Sequence, residues 1–140
     1  NRVLGVALRY TKPVSMLTLE LTNLDNIVKQ HGAKVGNAML RHFALMANDR
    51  RRNEDVLARS NYKQFRMLLP GIDEAGSKVV IKKIEESLLG EEYIYRGNSL
   101  KAEFLICAIT KREEDLHLQQ MLQEGEVGII RMKQKQQTPA

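Results

Sequence analysis

The chain has few aromatic residues and a single cysteine. Its 140 residues include no tryptophan, three phenylalanines and four tyrosines. So few rings cannot form the row of exposed aromatics that stacks on single-stranded nucleic acid, and no nucleic-acid partner is expected. One cysteine allows neither an internal disulfide framework nor a cysteine-based zinc site. Composition thus excludes two common classes of small domain.

Long apolar runs are also missing. No stretch reaches the roughly 20 residues that a membrane-spanning helix needs, and no signal peptide opens the chain. Cys107 lies in the apolar run Phe104 to Ile109, which predicts a buried structural thiol in a reducing compartment. We expect a cytoplasmic segment, either free or the cytosolic domain of a membrane-anchored protein.

Metal-binding spacing is absent as well. The three histidines, His31, His42 and His117, are scattered, and none has a partner at ligand spacing. We therefore expect no metal site and no cofactor.

Charge and length limit the remaining classes. Lys and Arg number 22 against 17 Asp and Glu, so the formal charge is +5. That balance suits an anionic partner, although the two signs are interspersed along the chain. A hydrophobic content of 43% is enough for one core of ordinary size. We expect a single domain over residues 1–133, followed by a polar tail or linker over 134–140.

Hydrophobic spacing predicts an alternation of strands and helices. Val79, Val80, Ile84 and Leu88 are predicted to face the core, and Gly125 and Gly128 are predicted to interrupt the last helix. The predicted elements are a short helix from residue 3 to the Lys12-Pro13 stop, a strand over 14–21, helices over 23–31 and 35–48, a hairpin with strands 56–58 and 65–69, a helix over 75–89, a strand over 100–109 and a helix over 116–133. This order predicts an α+β sandwich with a mixed sheet.

Several ungapped segments carry a resemblance to a known family. Residues 20–40, ELTNLDNIVKQHGAKVGNAML, resemble the pattern DxDxFKxxNDxxGHxxGDxxL. Residues 59–70 resemble R-Y-G-G-D-E-F-x-x-L-L-P, with the signature turn rewritten as Asn-Tyr-Lys-Gln-Phe. Residues 102–109 fall at a late core strand, and residues 130–133 resemble a closing LYxAK motif. In this order, the segments make the chain similar to the GGDEF (diguanylate cyclase) domain family, with its opening motif truncated.

The resemblance implies a nucleotidyl-cyclase-like fold, with a central, mainly antiparallel five-stranded sheet flanked by helices. It also implies a chemistry, because active members join two GTP molecules into cyclic di-GMP using Mg²⁺ held by carboxylates. The first metal carboxylate falls at Glu20, and the second falls at Lys63. Because an ammonium at Lys63 repels Mg²⁺, we expect two-metal coordination to fail.

Other family positions are also changed. The turn glycines are replaced by Asn61 and Tyr62, and Gln64 stands where the signature has glutamate. A tyrosine ring stands where a phosphate or backbone must come close. The guanine-reading Asn and Asp correspond to Val28, which cannot hydrogen-bond, and Asn37, which lacks a charge. We predict a catalytically inactive domain.

One further motif suggests a regulatory ligand. In many members an R-x-x-D motif before the signature turn is an inhibitory site for cyclic di-GMP, and Arg52 and Asp55 stand at that spacing. An arginine fork can meet guanine or phosphate, and an aspartate can accept from guanine N–H groups. Lys83 falls roughly where some members supply another basic contact.

A structural interpretation of the same motif remains open. Arg50 to Arg52 could simply end a helix, where their charges are favourable, with Asp55 as a surface partner. A second copy, Arg112 to Asp115, has no counterpart in the family, which shows how easily the spacing arises.

Two functions therefore remain under consideration. The first is a cyclic di-GMP receptor that regulates an output such as biofilm or exopolysaccharide formation. The second is a structural or dimerisation module that binds no nucleotide and transmits signals between flanking domains. Homodimers or a flanking signalling domain are the expected protein partners.

Overall fold

The computed structural model describes residues 12–89 and 93–137. Their alternation of apolar and polar positions gives six strands, four α-helices and one short 3-10 helix. The elements are β1 (Pro13–Leu21), α1 (Leu24–His31), α2 (Ala33–Asp49), β2 (Val56–Asn61), β3 (Gln64–Pro70), α3 (Glu74–Leu89), β4 (Tyr93–Tyr95), β5 (Asn98–Leu100), β6 (Phe104–Arg112), the 3-10 helix (Glu113–Asp115) and α4 (Leu118–Gln137).

The main sheet has four strands in the order β2-β3-β1-β6. All three pairs of neighbouring strands in this sheet are antiparallel. The α+β class is confirmed, whereas the expected five-stranded mixed sheet is four-stranded and antiparallel in the part that the structure describes.

The sequence did not predict a second small sheet. β4 and β5 pair as a separate hairpin, so Leu100 belongs to β5 and not to the predicted strand over 100–109. Both residues of its turn, Arg96 and Gly97, have positive φ angles of 49° and 81°. Positive φ at both turn positions matches the twist of a two-residue hairpin, which explains why the chain reverses here.

The two faces of the sheet differ in chemistry because successive side chains of a strand alternate between them. Leu17, Leu19 and Leu21 of β1 are fully buried in the main apolar core, together with Phe43 of α2 and Phe65 of β3. The intervening positions of β1 face α4 and include two buried polar residues, at positions 18 and 20. The apolar face thus stabilises the fold, while the face under α4 contains buried polar groups.

The predicted helices that fall on described residues are present, and three predictions about individual residues need correction. Val79 is 54% exposed and does not face the core. α4 runs without a break through Gly125 and Gly128 and ends at Gln137, beyond the predicted end at Lys133. Cys107 is only partly buried. The predicted first helix lies outside the described residues.

Both glycines of α4 lie over the sheet at very close range. A Cβ at position 125 would come within 2.2 Å of Thr18 Oγ1, and one at position 128 within 2.2 Å of Cys107 Sγ. Glycine is therefore needed for contact with the sheet, and the helix continues because this packing offsets its poor propensity. None of the described helices is long and apolar enough to cross a membrane.

Candidate functional site

Glu20 is bound by two protein side chains at the buried end of β1. Its carboxylate is almost inaccessible to solvent. Gln64, opposite it on β3, donates from Nε2 to Oε1 at 2.7 Å. Lys133 of α4 forms an ion pair with Oε2. Both carboxylate oxygens thus have protein partners, and an ammonium neutralises a charge that would be costly to bury alone.

The turn between β2 and β3 is fixed by its own polar groups. Lys63 N donates to Asn61 Oδ1 at 3.0 Å. Arg59 spans the turn, donating from Nε to the Asn61 carbonyl and from Nη2 to the Tyr62 carbonyl. These contacts satisfy one backbone N–H and two backbone carbonyls of the turn.

Asp25 joins this turn to α1. The Tyr62 hydroxyl donates to its carboxylate at 3.1 Å, and Lys63 Nζ lies 3.8 Å from Oδ2. The Lys63 ammonium also lies 5.5 Å from the centre of the Tyr62 ring. Asp25 was missed from the sequence, although the family pattern has lysine at this position, so the available signal was a reversed charge. The structure thus gives Tyr62 and Lys63 a shared partner outside the turn.

Val28 and Asn37 lie on the paired helices α1 and α2. A Cβ on Gly36 would come within 2.4 Å of Val28 Cγ2, so Val28 packs against the glycine backbone of α2. Asn37 is exposed and lines an open groove with Arg41 and Arg59. The structure therefore uses Val28 for helix packing and leaves Asn37 facing solvent.

Arg52 and Asp55 form a tight pair between α2 and β2. Arg52 donates to the Asp55 carboxylate from its backbone N at 2.8 Å, from Nε at 3.1 Å and from Nη2 at 2.8 Å. Nη2 also donates to the Pro70 carbonyl, and Nη1 forms an ion pair with Glu54 at 3.1 Å. The Asp55 hydrogen bond raises the pKa of Arg52. The pair connects this loop to the end of β3.

Exposure differs within the pair. The Asp55 side chain is 3% exposed, and that of Arg52 is 42% exposed. Lys83 lies on the exposed side of α3 and makes no hydrogen bond or ion pair with either residue. In the second copy of the motif, Arg112 pairs with Glu114 instead of Asp115. The two copies thus differ in geometry.

Arg66 is a buried charge that the sequence did not single out. Its Nη1 donates to Thr18 Oγ1 at 2.7 Å and to the Leu122 carbonyl at 3.0 Å, and Nη2 lies 3.6 Å from Glu126. Burial lowers the pKa of Arg66 and raises the pKa of the neighbouring Cys107 thiol. Arg66 lies two residues after Gln64 on β3, so the two side chains share one face of the sheet. This spacing was the signal in the sequence that could have pointed to Arg66.

The histidines lie apart along the chain: His31 ends α1, His42 lies in α2 and packs against the Tyr93 ring, and His117 lies in the loop before α4. Within residues 12–89 and 93–137, no three His, Cys, Asp or Glu side chains are grouped closely enough to hold a metal ion.

Comparison with known families assigns the chain. The family model described as "Diguanylate cyclase, GGDEF domain" matches residues 2–139. The chain belongs to the GGDEF family. A search of the curated proteins finds no match to this GGDEF domain.

Solved structures share its fold. The domain is similar to the FimX GGDEF domain of Pseudomonas aeruginosa, at 16% identity and a TM-score of 0.81, covering 96% of this chain and 87% of that one. It is similar to the DgcB GGDEF domain of Caulobacter crescentus, solved in complex with c-di-GMP, at 13% identity and a TM-score of 0.79, covering 96% and 80%.

A third relative is longer than this domain. The diguanylate cyclase SiaD of Pseudomonas aeruginosa, in complex with its activator SiaC, matches at 15% identity and a TM-score of 0.82 over 96% of this chain. The chain spans only 54% of SiaD. At these identities the structures establish the fold.

Proposed function

We propose that this GGDEF domain is catalytically inactive. The observation that carries the proposal is the ammonium of Lys63 at the position of the family's second metal carboxylate, where it pairs with Asp25. The carboxylate at the first position, Glu20, is buried and bound by Gln64 and Lys133, so a metal would have to displace both partners. The like charge of Lys63 opposes Mg²⁺ binding, so the family's phosphoryl transfer loses its electrostatic support.

The domain then serves, in our proposal, as a cyclic di-GMP receptor. Arg52 carries this part because its guanidinium is held rigidly by Asp55 and the Pro70 carbonyl while its Nη1 edge faces solvent. The Glu54 ion pair on that edge is exposed and therefore weak, so a phosphate or guanine can replace it. Asp55 acts as a positioning residue, and Lys83 supplies a further cation. The c-di-GMP in the DgcB complex supports this ligand.

Calorimetry on the purified domain tests the receptor proposal. Cyclic di-GMP is expected to bind saturably, and Arg52→Ala is expected to abolish the heat because the guanidinium fork is lost. Arg112→Ala is the matched control, since it removes an arginine from the second motif and should leave the isotherm unchanged. A wild-type domain that gives no heat, or an unchanged isotherm in Arg52→Ala, contradicts the proposal.

One observation favours a second function, a structural or dimerisation module without a nucleotide ligand. Both oxygens of the buried Asp55 carboxylate are already used by Arg52, which is what a purely structural pair would show. This alternative predicts self-association in sedimentation that is independent of nucleotide. It also predicts that Arg52→Ala lowers stability without changing association.

The biological setting follows from the receptor proposal. We propose a cytoplasmic domain, free or tethered to a membrane-anchored protein, that passes the binding event to a flanking domain, a second copy or a protein partner. The SiaD complex with its activator SiaC is a precedent for a protein partner. Biofilm or exopolysaccharide regulation is the output we propose.

A further inference from the structure

β2 is a terminal strand with a free outer edge. Its inner edge pairs with β3, and no other described strand pairs with it. Five of its six side chains are exposed, Leu57 being half-buried. Backbone N–H and C=O groups of alternate residues on such an edge point outward and can accept another strand. A bulge between Arg59 and Asn61 limits regular pairing to residues 56–59.

An open groove lies beside this edge. It runs between α2 and β2 and has a volume of about 400 Å³. Its apolar floor is formed by Leu40, Ala44 and Phe65. The groove is large enough for one or two side chains of a bound segment, and its floor would take an apolar one.

The walls of the groove are cationic. Arg59 is held in place by the Asn61 and Tyr62 carbonyls. Arg41 of α2 makes no hydrogen bond or ion pair with any described residue. Among the residues that the structure describes, no carboxylate lines the groove. Two guanidinium groups with no acid between them, on a chain of charge +5, favour an acidic partner.

We propose that the β2 edge and this groove bind an extended acidic segment of a partner protein, which adds a strand to the sheet. Backbone pairing with residues 56–59 provides affinity, and alternate side chains of the added strand enter the groove. Acidic side chains meet Arg41 and Arg59, and an apolar one covers the floor. A small anion would use the arginines but would leave the strand edge unpaired. The surface does not involve Arg52 or Asp55.

The test uses an acetylated and amidated peptide of alternating Glu and Val, about seven residues long, titrated into the ¹⁵N-labelled domain. NMR shifts are expected at the outward-facing amides of β2. Arg41→Gln should weaken binding roughly five- to tenfold, because one charge-assisted hydrogen bond is lost. Since the exposed Arg41 makes no hydrogen bond or ion pair with any described residue, this variant should fold normally. Arg131→Gln removes an equal charge from an exposed position of α4, and this variant should bind like the wild type.

Comparison ligands decide the mechanism. A peptide of alternating Lys and Val, and a Glu-Val peptide with a central proline that removes a backbone donor, should not bind. Equal binding of the proline peptide, or the same shifts with inorganic phosphate alone, would overturn strand addition. So would concentration-dependent β2 shifts without peptide, which would identify a second copy as the occupant. No β2 shifts with the Glu-Val peptide at millimolar concentration would also overturn it. None of these outcomes depends on cyclic di-GMP binding.

Discussion

Glu20 is a carboxylate at the position where the resemblance places the first metal ligand, and its environment is that of a structural ion pair. Its side chain is buried with an amide on one oxygen and an ammonium on the other. Lys133 is partly exposed, so water screens one side of the pair. A glutamate can thus bind a metal or form an ion pair that attaches a helix to the sheet. The hydrogen-bond donors and charges around it determine which of these it does.

Lys133→Met is expected to destabilise the domain by about 1–3 kcal/mol. The substitution leaves the buried Glu20 carboxylate without its charge partner, which is the costly outcome for a buried charge. Chemical denaturation measures the loss. Lys135→Met, at an exposed position of the same helix, should change stability by less than about 0.5 kcal/mol.

A double variant checks the cause. Glu20→Gln together with Lys133→Met should recover much of the loss, because a neutral amide needs no cation and can still accept from Gln64. If the double variant is no more stable than Lys133→Met, the ion pair is not the source of the effect.

At the scale of elements, α4 is attached to the sheet by contact with its glycines. Gly125 lies over Thr18 and Arg66, and Gly128 lies over Cys107. Arg66 also donates to the Leu122 carbonyl, which adds a polar contact to the same interface. The close approach of these glycines to the sheet therefore positions the helix that carries Lys133. A small change in the distance between α4 and the sheet would alter the ion pair of Lys133 with Glu20.

Gly128→Ala is expected to cost up to about 2 kcal/mol of stability. The new methyl group would overlap Cys107 Sγ, and the overpacking penalty exceeds the gain of about 1 kcal/mol in helix propensity. Thermal or chemical unfolding measures the difference. Cys107→Ala in the same chain should relieve the clash, so a double-mutant cycle should show favourable coupling. Additive effects would contradict the close contact. Gln123→Ala, at an exposed position of α4, is the control.

At the scale of the whole molecule, the positions that the resemblance assigns to metal and substrate lie on four elements. β1 supplies Glu20, α1 supplies Val28, α2 supplies Asn37, and the β2–β3 turn supplies Lys63. Our proposal of an inactive domain rests on several of these positions at once, so we expect that restoring a single residue would not restore activity.

Incubation with GTP and Mg²⁺ or Mn²⁺ is expected to yield no cyclic di-GMP, both for the wild type and for Lys63→Asp. The aspartate restores one carboxylate, but Glu20 stays paired with Lys133 and Val28 still cannot read guanine. Chromatography of the products measures turnover. Product formation by either chain that Glu20→Ala removes would prove the domain active.

Much of the fold was predictable from the sequence, because strong periodicity over long segments determines secondary structure locally. The β1 strand, the α1 and α2 helices and the β2–β3 hairpin all fall close to their predicted bounds. The β4–β5 hairpin was not predictable, since each of its strands is only three residues long and shows no period. The continuity of α4 was also missed, because propensity alone disfavours Gly125 and Gly128.

For the candidate site, the sequence by itself determined which chemical groups are available. Lys63, Tyr62 and Val28 follow from the order of residues, and so does the spacing of Arg52 and Asp55. Only the tertiary structure decided what each group contacts. The pairing of Glu20 with Lys133, of Tyr62 with Asp25 and of Arg66 with Thr18 joins residues far apart in the chain. A covalent sequence fixes chemical identity, whereas contact depends on packing between elements, which no local pattern records.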